Sequence, residues 1–90
     1  MSARHVFYEG RVQGVGFRYT VYQIVSGFEV TGWIRNVPDG RVELLAAGEA
    51  EELEAFLQAI RDSALGSFIR KELAEEAPAP GKLRSFEILG

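Results

Sequence analysis

Cysteine is absent from this 90-residue chain, and histidine occurs once, at position 5. Without a thiol there is neither a disulfide framework nor a thiolate zinc site. His5 alone makes no metal site unless several carboxylates converge on it. No bound metal and no cofactor are expected. Uninterrupted apolar runs long enough to span a bilayer are missing. Met1-Ser-Ala-Arg-His5 carries no apolar signal segment, so the chain reads as cytoplasmic with no membrane partner. Excess positive charge is lacking too: a net charge of −3 and a pI near 5.1 argue against nucleic acid as a partner. What remains is a chain of globular composition, 47% hydrophobic and 26% charged. Its length suits one small domain, residues 1–90.

The richest stretch is Gly10-Arg-Val-Gln-Gly-Val-Gly-Phe-Arg18, directly after the strand-like Val6-Phe7-Tyr8. Glycine admits positive φ and lets the backbone approach a ligand closely. Successive N–H groups can then point into one concavity, which is an anion site. A helical pattern begins at its end and adds the partial positive charge of a helix N-terminus. Arg18 supplies a permanent charge in a planar fork that matches phosphate oxygens. The stretch is no nucleotide P-loop, which ends in Gly-Lys-Ser/Thr, and it lacks the third glycine of a dinucleotide fingerprint. Read by themselves, the glycines favour a tight strand-to-helix turn; Arg18 at the helix start tips the reading to an anion site.

A second segment, Trp33-Ile-Arg-Asn36-Val-Pro-Asp-Gly40-Arg-Val-Glu43, reads as strand, Pro-Asp-Gly turn and returning strand. Asn36 stands where the first strand ends. By itself it would be assigned to turn chemistry, since Asn side chains often bond nearby backbone.

Together the two segments closely resemble the acylphosphatase family. The matching residues are Gly10, Val12 to Val15, Phe17 and Arg18, then Gly32, Trp33, Asn36, Asp39, Gly40, Val42 and Glu43. The resemblance runs the length of the chain, to Phe86-Glu-Ile88.

Apolar periodicity supplies the elements. Residues 5–12 read as a strand and 12–18 as the loop. Phe17, Val21, Ile24, Val25 and Phe28 form one helical face. The β-branched Thr20, Val21, Ile24 and Val25 lower its intrinsic propensity. Residues 30–36 and 41–47 form a hairpin. Residues 49–61 make a second helix with the stripe Leu53, Phe56, Leu57, Ile60. Residues 63–67 connect. Residues 68–75 favour helix locally, yet the family pattern requires a strand. Residues 77–81 form a loop and 85–89 a short last strand. The order β-α-β-β-α-β plus a short strand is an α+β, ferredoxin-like α/β sandwich, a mainly antiparallel sheet with two helices on one face. The resemblance implies strand order 4-1-3-2, with the fifth strand on an edge. The chain departs from the family pattern at Glu29, where glycine usually takes the left-handed helix end. Either Glu29 bears that strain or the helix stops early at Gly27.

The implied activity is hydrolysis of small acyl phosphates to carboxylate and inorganic phosphate. Such anhydrides are already reactive, so positioning and charge stabilisation suffice. Backbone N–H groups of Gln13, Gly14, Val15, Gly16, Phe17 and Arg18 would cradle the phosphoryl group. Arg18 would clamp it, and Asn36 would orient the attacking water. Partners are then the acyl phosphate and inorganic phosphate, as product or inhibitor, with a monomer as the working state. No acyl pocket is marked, so broad specificity is expected. Tyr8, Tyr19 and Tyr22 read as packing residues, His5 as solvated ahead of strand 1, and Glu43 as having no obvious partner. Two alternatives stand beside this. One is a non-catalytic ferredoxin-like phosphate- or ligand-binding module. The other is a carbamoyl-phosphate-handling relative, of the kind found within hydrogenase maturation proteins.

Overall fold

The computed structural model describes residues 1–81 and 83–90. In chain order the elements are β1 (Ser2–Gly10), α1 (Phe17–Val25), β2 (Thr31–Asn36), β3 (Val42–Gly48), α2 (Ala50–Asp62), a 3-10 turn (Ala64–Phe68), β4 (Ile69–Ala77) and β5 (Phe86–Leu89). The five strands form one sheet in the order β4-β1-β3-β2-β5. All pairings are antiparallel except β2 with β5. The expected topology is therefore the observed one, with β5 added beside β2.

β1 begins and ends earlier than its apolar pattern indicated. As a central strand it is held on both sides, and Ser2 already opposes Gly48. A register shift between Glu9 and Gly10 precedes the last pair with β4, and the Arg11 N–H goes to Phe68 O at 3.0 Å. β4 forms despite the helix-favouring Lys71-Glu-Leu-Ala-Glu75. Its ladder against β1 runs from Ala3↔Ala77 to Gly10↔Ile69, and that non-local pairing outweighs a local preference of a few tenths of a kcal/mol per residue, roughly. Its exposed charged side chains also blunt a sheet edge that would otherwise invite further strands.

The core lies between the helices and one sheet face. Val6 and Tyr8 of β1, Ile34 of β2 and Val42, Leu44 and Ala46 of β3 point into it. α1 contributes Phe17, Val21 and Val25, with Ile24 and Phe28 packed alongside. α2 contributes Leu53, Phe56, Leu57 and Ile60, the stripe its spacing predicts. Each such side chain, fully buried, contributes about 1.5–3 kcal/mol. Phe56 of α2 meets Phe28, in the connection after α1, at 5.8 Å and Phe86 of β5 at 6.0 Å between ring centroids. Arg61, in the last turn of α2, forks onto the Glu72 carboxylate of β4 (Nε–Oε1 3.0 Å, Nη2–Oε2 3.0 Å) and so ties helix to sheet edge.

The end of α1 resolves the alternative posed by Glu29. The helix stops at Val25, and among the described residues none other than glycine has positive φ. Ser26 Oγ donates to Gln23 O at 2.7 Å, and the N–H groups of Gly27 and Phe28 reach Ile24 O and Val25 O. The Glu29 N–H is taken up by Glu52 Oε1 of α2 at 2.9 Å. A hydrogen bond from the α1–β2 connection to α2 thus takes the place of the glycine cap.

The sheet face away from the helices carries its own polar cluster. Glu43 is buried and accepts from Arg35 Nε at 2.5 Å, and its other oxygen bonds His5 Nε2 at 2.6 Å. His5 is therefore inside β1 and partnered, and Glu43 has two partners; both expectations are corrected. The sequence hid this because the three residues sit on three different strands, brought level by register. His5 also meets Phe7 edge-on at 4.8 Å, and the Arg35 guanidinium lies over Trp33. Among the described residues, no helix is long and apolar enough to cross a membrane.

Candidate active site

The loop between β1 and α1 turns through two glycines at positive φ, Gly14 at 81° and Gly16 at 74°. Open space surrounds the position a Cβ would take at either one. Backbone conformation, not crowding, is what requires glycine here. Gly16 is the residue from which α1 starts; its carbonyl accepts the Thr20 N–H at 3.0 Å. No side chain caps this helix, and no acidic residue lies in its first turn. The first-turn N–H groups and the dipole end are thus left for an external anion.

Arg18 stands in that first turn, half-buried. Its Nη1 donates to the carbonyls of Leu89 at 3.2 Å and Gly90 at 3.4 Å, at the end of β5. Among the described residues, Nε and Nη2 have no protein acceptor, so most of the five-donor fork remains for a ligand.

Asn36 is the last residue of β2, opposite Val42. The turn that follows is stitched by Asp39 instead, whose carboxylate accepts from Arg41 N at 3.0 Å and Arg41 Nε at 2.8 Å. The backbone hydrogen bond to Arg41 is the largest of the influences that hold the Asp39 carboxyl below its usual range, ahead of the guanidinium. Among the described residues no protein group bonds the Asn36 carboxamide, so turn chemistry does not account for it.

These pieces meet in one cavity of about 330 Å³ lined by Val12, Gly14, Gly16, Phe17, Arg18, Tyr19, Asn36 and Ile88. Of the residues expected at the site, Gly14, Gly16, Phe17, Arg18 and Asn36 are brought together. Gln13 and Val15 do not line the cavity. Val15 packs against the core. The Gln13 amide reaches across to the hairpin and donates to Val37 O at 2.8 Å and Arg41 O at 2.9 Å, bracing the loop against the strand that carries Asn36. Tyr19 and Ile88 were missed as lining residues. Tyr19 is 62% exposed and Tyr22 45%, so the packing role expected for both is corrected. Tyr8 does pack: it is fully buried against Phe17 at 5.2 Å. Arg35 is engaged on the far sheet face and lies outside the cavity. Among the described residues no group of three or more metal-binding side chains converges.

The acylphosphatase family model matches residues 4–88. The chain belongs to the acylphosphatase family. An acylphosphatase of Bacillus velezensis is 42% identical over 88 residues, 98% of each chain. The crystal structure of acylphosphatase from Bacillus subtilis superposes with a TM-score of 0.90 at 33% identity, covering 100% of both chains. The HypF protein of T. kodakarensis is similar too, with a TM-score of 0.86 and 32% identity. There the match covers 100% of this chain but 12% of the other. The acylphosphatase fold thus recurs both at this length and as a small part of a longer protein.

Proposed function

We propose that this chain is an acylphosphatase that hydrolyses the carboxyl–phosphate bond of small acyl phosphates, as a single-domain monomer and without a metal. The observation that carries the reading is the convergence, in one cavity, of a positive-φ glycine loop, an uncapped helix N-terminus, Arg18 and the unengaged carboxamide of Asn36. The loop N–H groups and Arg18 hold the three phosphoryl oxygens through charge-assisted hydrogen bonds. The Asn36 side-chain oxygen accepts a hydrogen bond from water and aims it at phosphorus, opposite the acyl oxygen. The new P–O bond forms as the bond to the acyl oxygen breaks; the carboxylate leaves, and a phosphoryl oxygen takes the water proton. Asn is too weak a base to take that proton itself. Positioning and fixed positive charge carry the rate.

The test is benzoyl phosphate hydrolysis by purified, EDTA-treated protein, with Arg18→Ala and Asn36→Ala measured beside it. Turnover is expected to persist in EDTA. Arg18→Ala should lower kcat/KM by about a thousandfold or more and weaken inhibition by inorganic phosphate. Asn36→Ala should lower kcat by about a hundredfold, with phosphate inhibition nearly intact. Near-normal turnover by folded Arg18→Ala would overturn the assignment. Phosphate binding without turnover by the parent protein would make the chain a phosphate-binding module.

A further inference from the structure

Large apolar side chains are exposed at few places, and they are not scattered. Among the described residues they are Met1, Tyr19, Tyr22, Leu73, Ile88 and Leu89. Four of these, Tyr19, Tyr22, Ile88 and Leu89, lie on just two elements, α1 and β5. Tyr19 and Tyr22 are three apart on the helix and so share its outer face. Tyr19 and Ile88 line the cavity that holds Arg18 and Asn36. Tyr22 and Ile88 line a second hollow of about 530 Å³ with Ser85, Phe86 and Glu87. Ile88 belongs to both, so an apolar shelf leads outward from the phosphate cradle. Contiguous exposed apolar surface of this kind marks a binding site, and tyrosine suits it because its ring is apolar and its hydroxyl stays wet.

We infer that Tyr19 and Ile88, extended by Tyr22, form the acyl-binding wall and make the site selective for apolar acyl phosphates, aryl or branched. The inference rests on the proposed hydrolase reading and adds its substrate class. With phosphorus held by the loop and Arg18, the acyl group leaves the cradle on the open side, where the shelf lies. An aryl or branched group there removes its own apolar surface and that of Ile88 and Tyr19 from water, whereas an acetyl group is too short to do so. The expectation of broad specificity is thereby narrowed.

The experiment compares kcat/KM for benzoyl phosphate and acetyl phosphate in the parent, Tyr19→Ala, Ile88→Ala and the double variant. Leu73→Ala, on the uncovered sheet face, serves as the control. The ratio of the two substrates is the readout. The parent is expected to prefer benzoyl phosphate, and the double variant should cut that preference about tenfold. Leu73→Ala should leave the ratio alone. An unchanged ratio in the double variant, or a parent with no preference, overturns the wall. Binding of benzoylphosphonate and acetylphosphonate, measured by calorimetry, separates the two claims. If the parent hydrolyses neither anhydride yet binds the benzoyl analogue more tightly, and the double variant loses that difference, the hydrolase reading falls and the wall stands. If the analogues bind alike, the wall falls, whatever the turnover.

Discussion

Asn36 and Asp39 are both residues that turns favour, and the same hairpin uses only one of them for that purpose. Asp39 holds the Arg41 backbone and guanidinium, while the Asn36 carboxamide stays unengaged at the cavity. A polar side chain released from local bonding is available for a water. Tyr8 presents the opposite situation. Its ring is fully buried and its hydroxyl has no hydrogen-bond partner among the described residues. Burial is the main reason its phenol is pushed far above the ordinary value, and the nearby Glu72 carboxylate adds to the effect. The hydroxyl therefore stays neutral and costs desolvation without return. Tyr8→Phe keeps the ring against Phe17 and removes that cost. It should raise stability by about 1 kcal/mol, seen as a higher urea midpoint at unchanged slope. A lower midpoint would mean that the hydroxyl finds a partner in solution.

At the scale of elements, the two motifs and the two apolar helix stripes could be read from the sequence because their information is local. Positive φ at Gly14 and Gly16, the first-turn place of Arg18 and the strand-end place of Asn36 each depend on a few neighbours. What could not be read depends on distant partners. β4 is a strand, as the family pattern requires, but its local propensity does not show it, because it is pairing with β1 that decides. Ile88 reaches the cavity from the last strand, brought there by the β2–β5 pairing and the contact of β5 with α1. The loop position of Gln13 points to its backbone N–H as part of the cradle; that its side chain also spans two elements depends on the distant hairpin. That bridge is testable. Gln13→Ala removes both hydrogen bonds to the hairpin and lets the phosphate loop and the Asn36 strand drift relative to each other. It should lower kcat about tenfold, since small misplacements of reacting groups are costly. Phosphate inhibition should change much less, because the cradle itself is intact. Parent-like kcat would show that the loop holds its place without the bridge.

For the whole molecule, the helix-covered face supplies most of the buried apolar area, and the other face is joined by charge. Glu43 on β3 binds His5 on β1 and Arg35 on β2, so one carboxylate links the three central strands. Burial alone pushes the Glu43 carboxyl up; the hydrogen bonds from His5 and Arg35, with the Arg35 charge, outweigh it and hold the carboxyl below its usual value. A carboxyl lowered in the folded state binds protons more readily when unfolded. Its contribution is therefore complete above the unfolded value, near 4.3 for Glu by about a unit, and is lost as pH falls through the lower folded value. Acidification below about pH 5 should thus weaken the fold in part through this group. Glu43→Gln cannot ionise and fits the same space, but it keeps a single, neutral acceptor oxygen for Arg35 and puts an NH2 donor where the second carboxylate oxygen met His5. It should cost about 1–3 kcal/mol at neutral pH, and its loss of stability between about pH 5 and pH 3 should be shallower than the parent's. Urea unfolding across that range reads both quantities. Equal acid slopes in the two proteins would assign the acid sensitivity to other carboxylates and mean that folding leaves the Glu43 carboxyl unshifted.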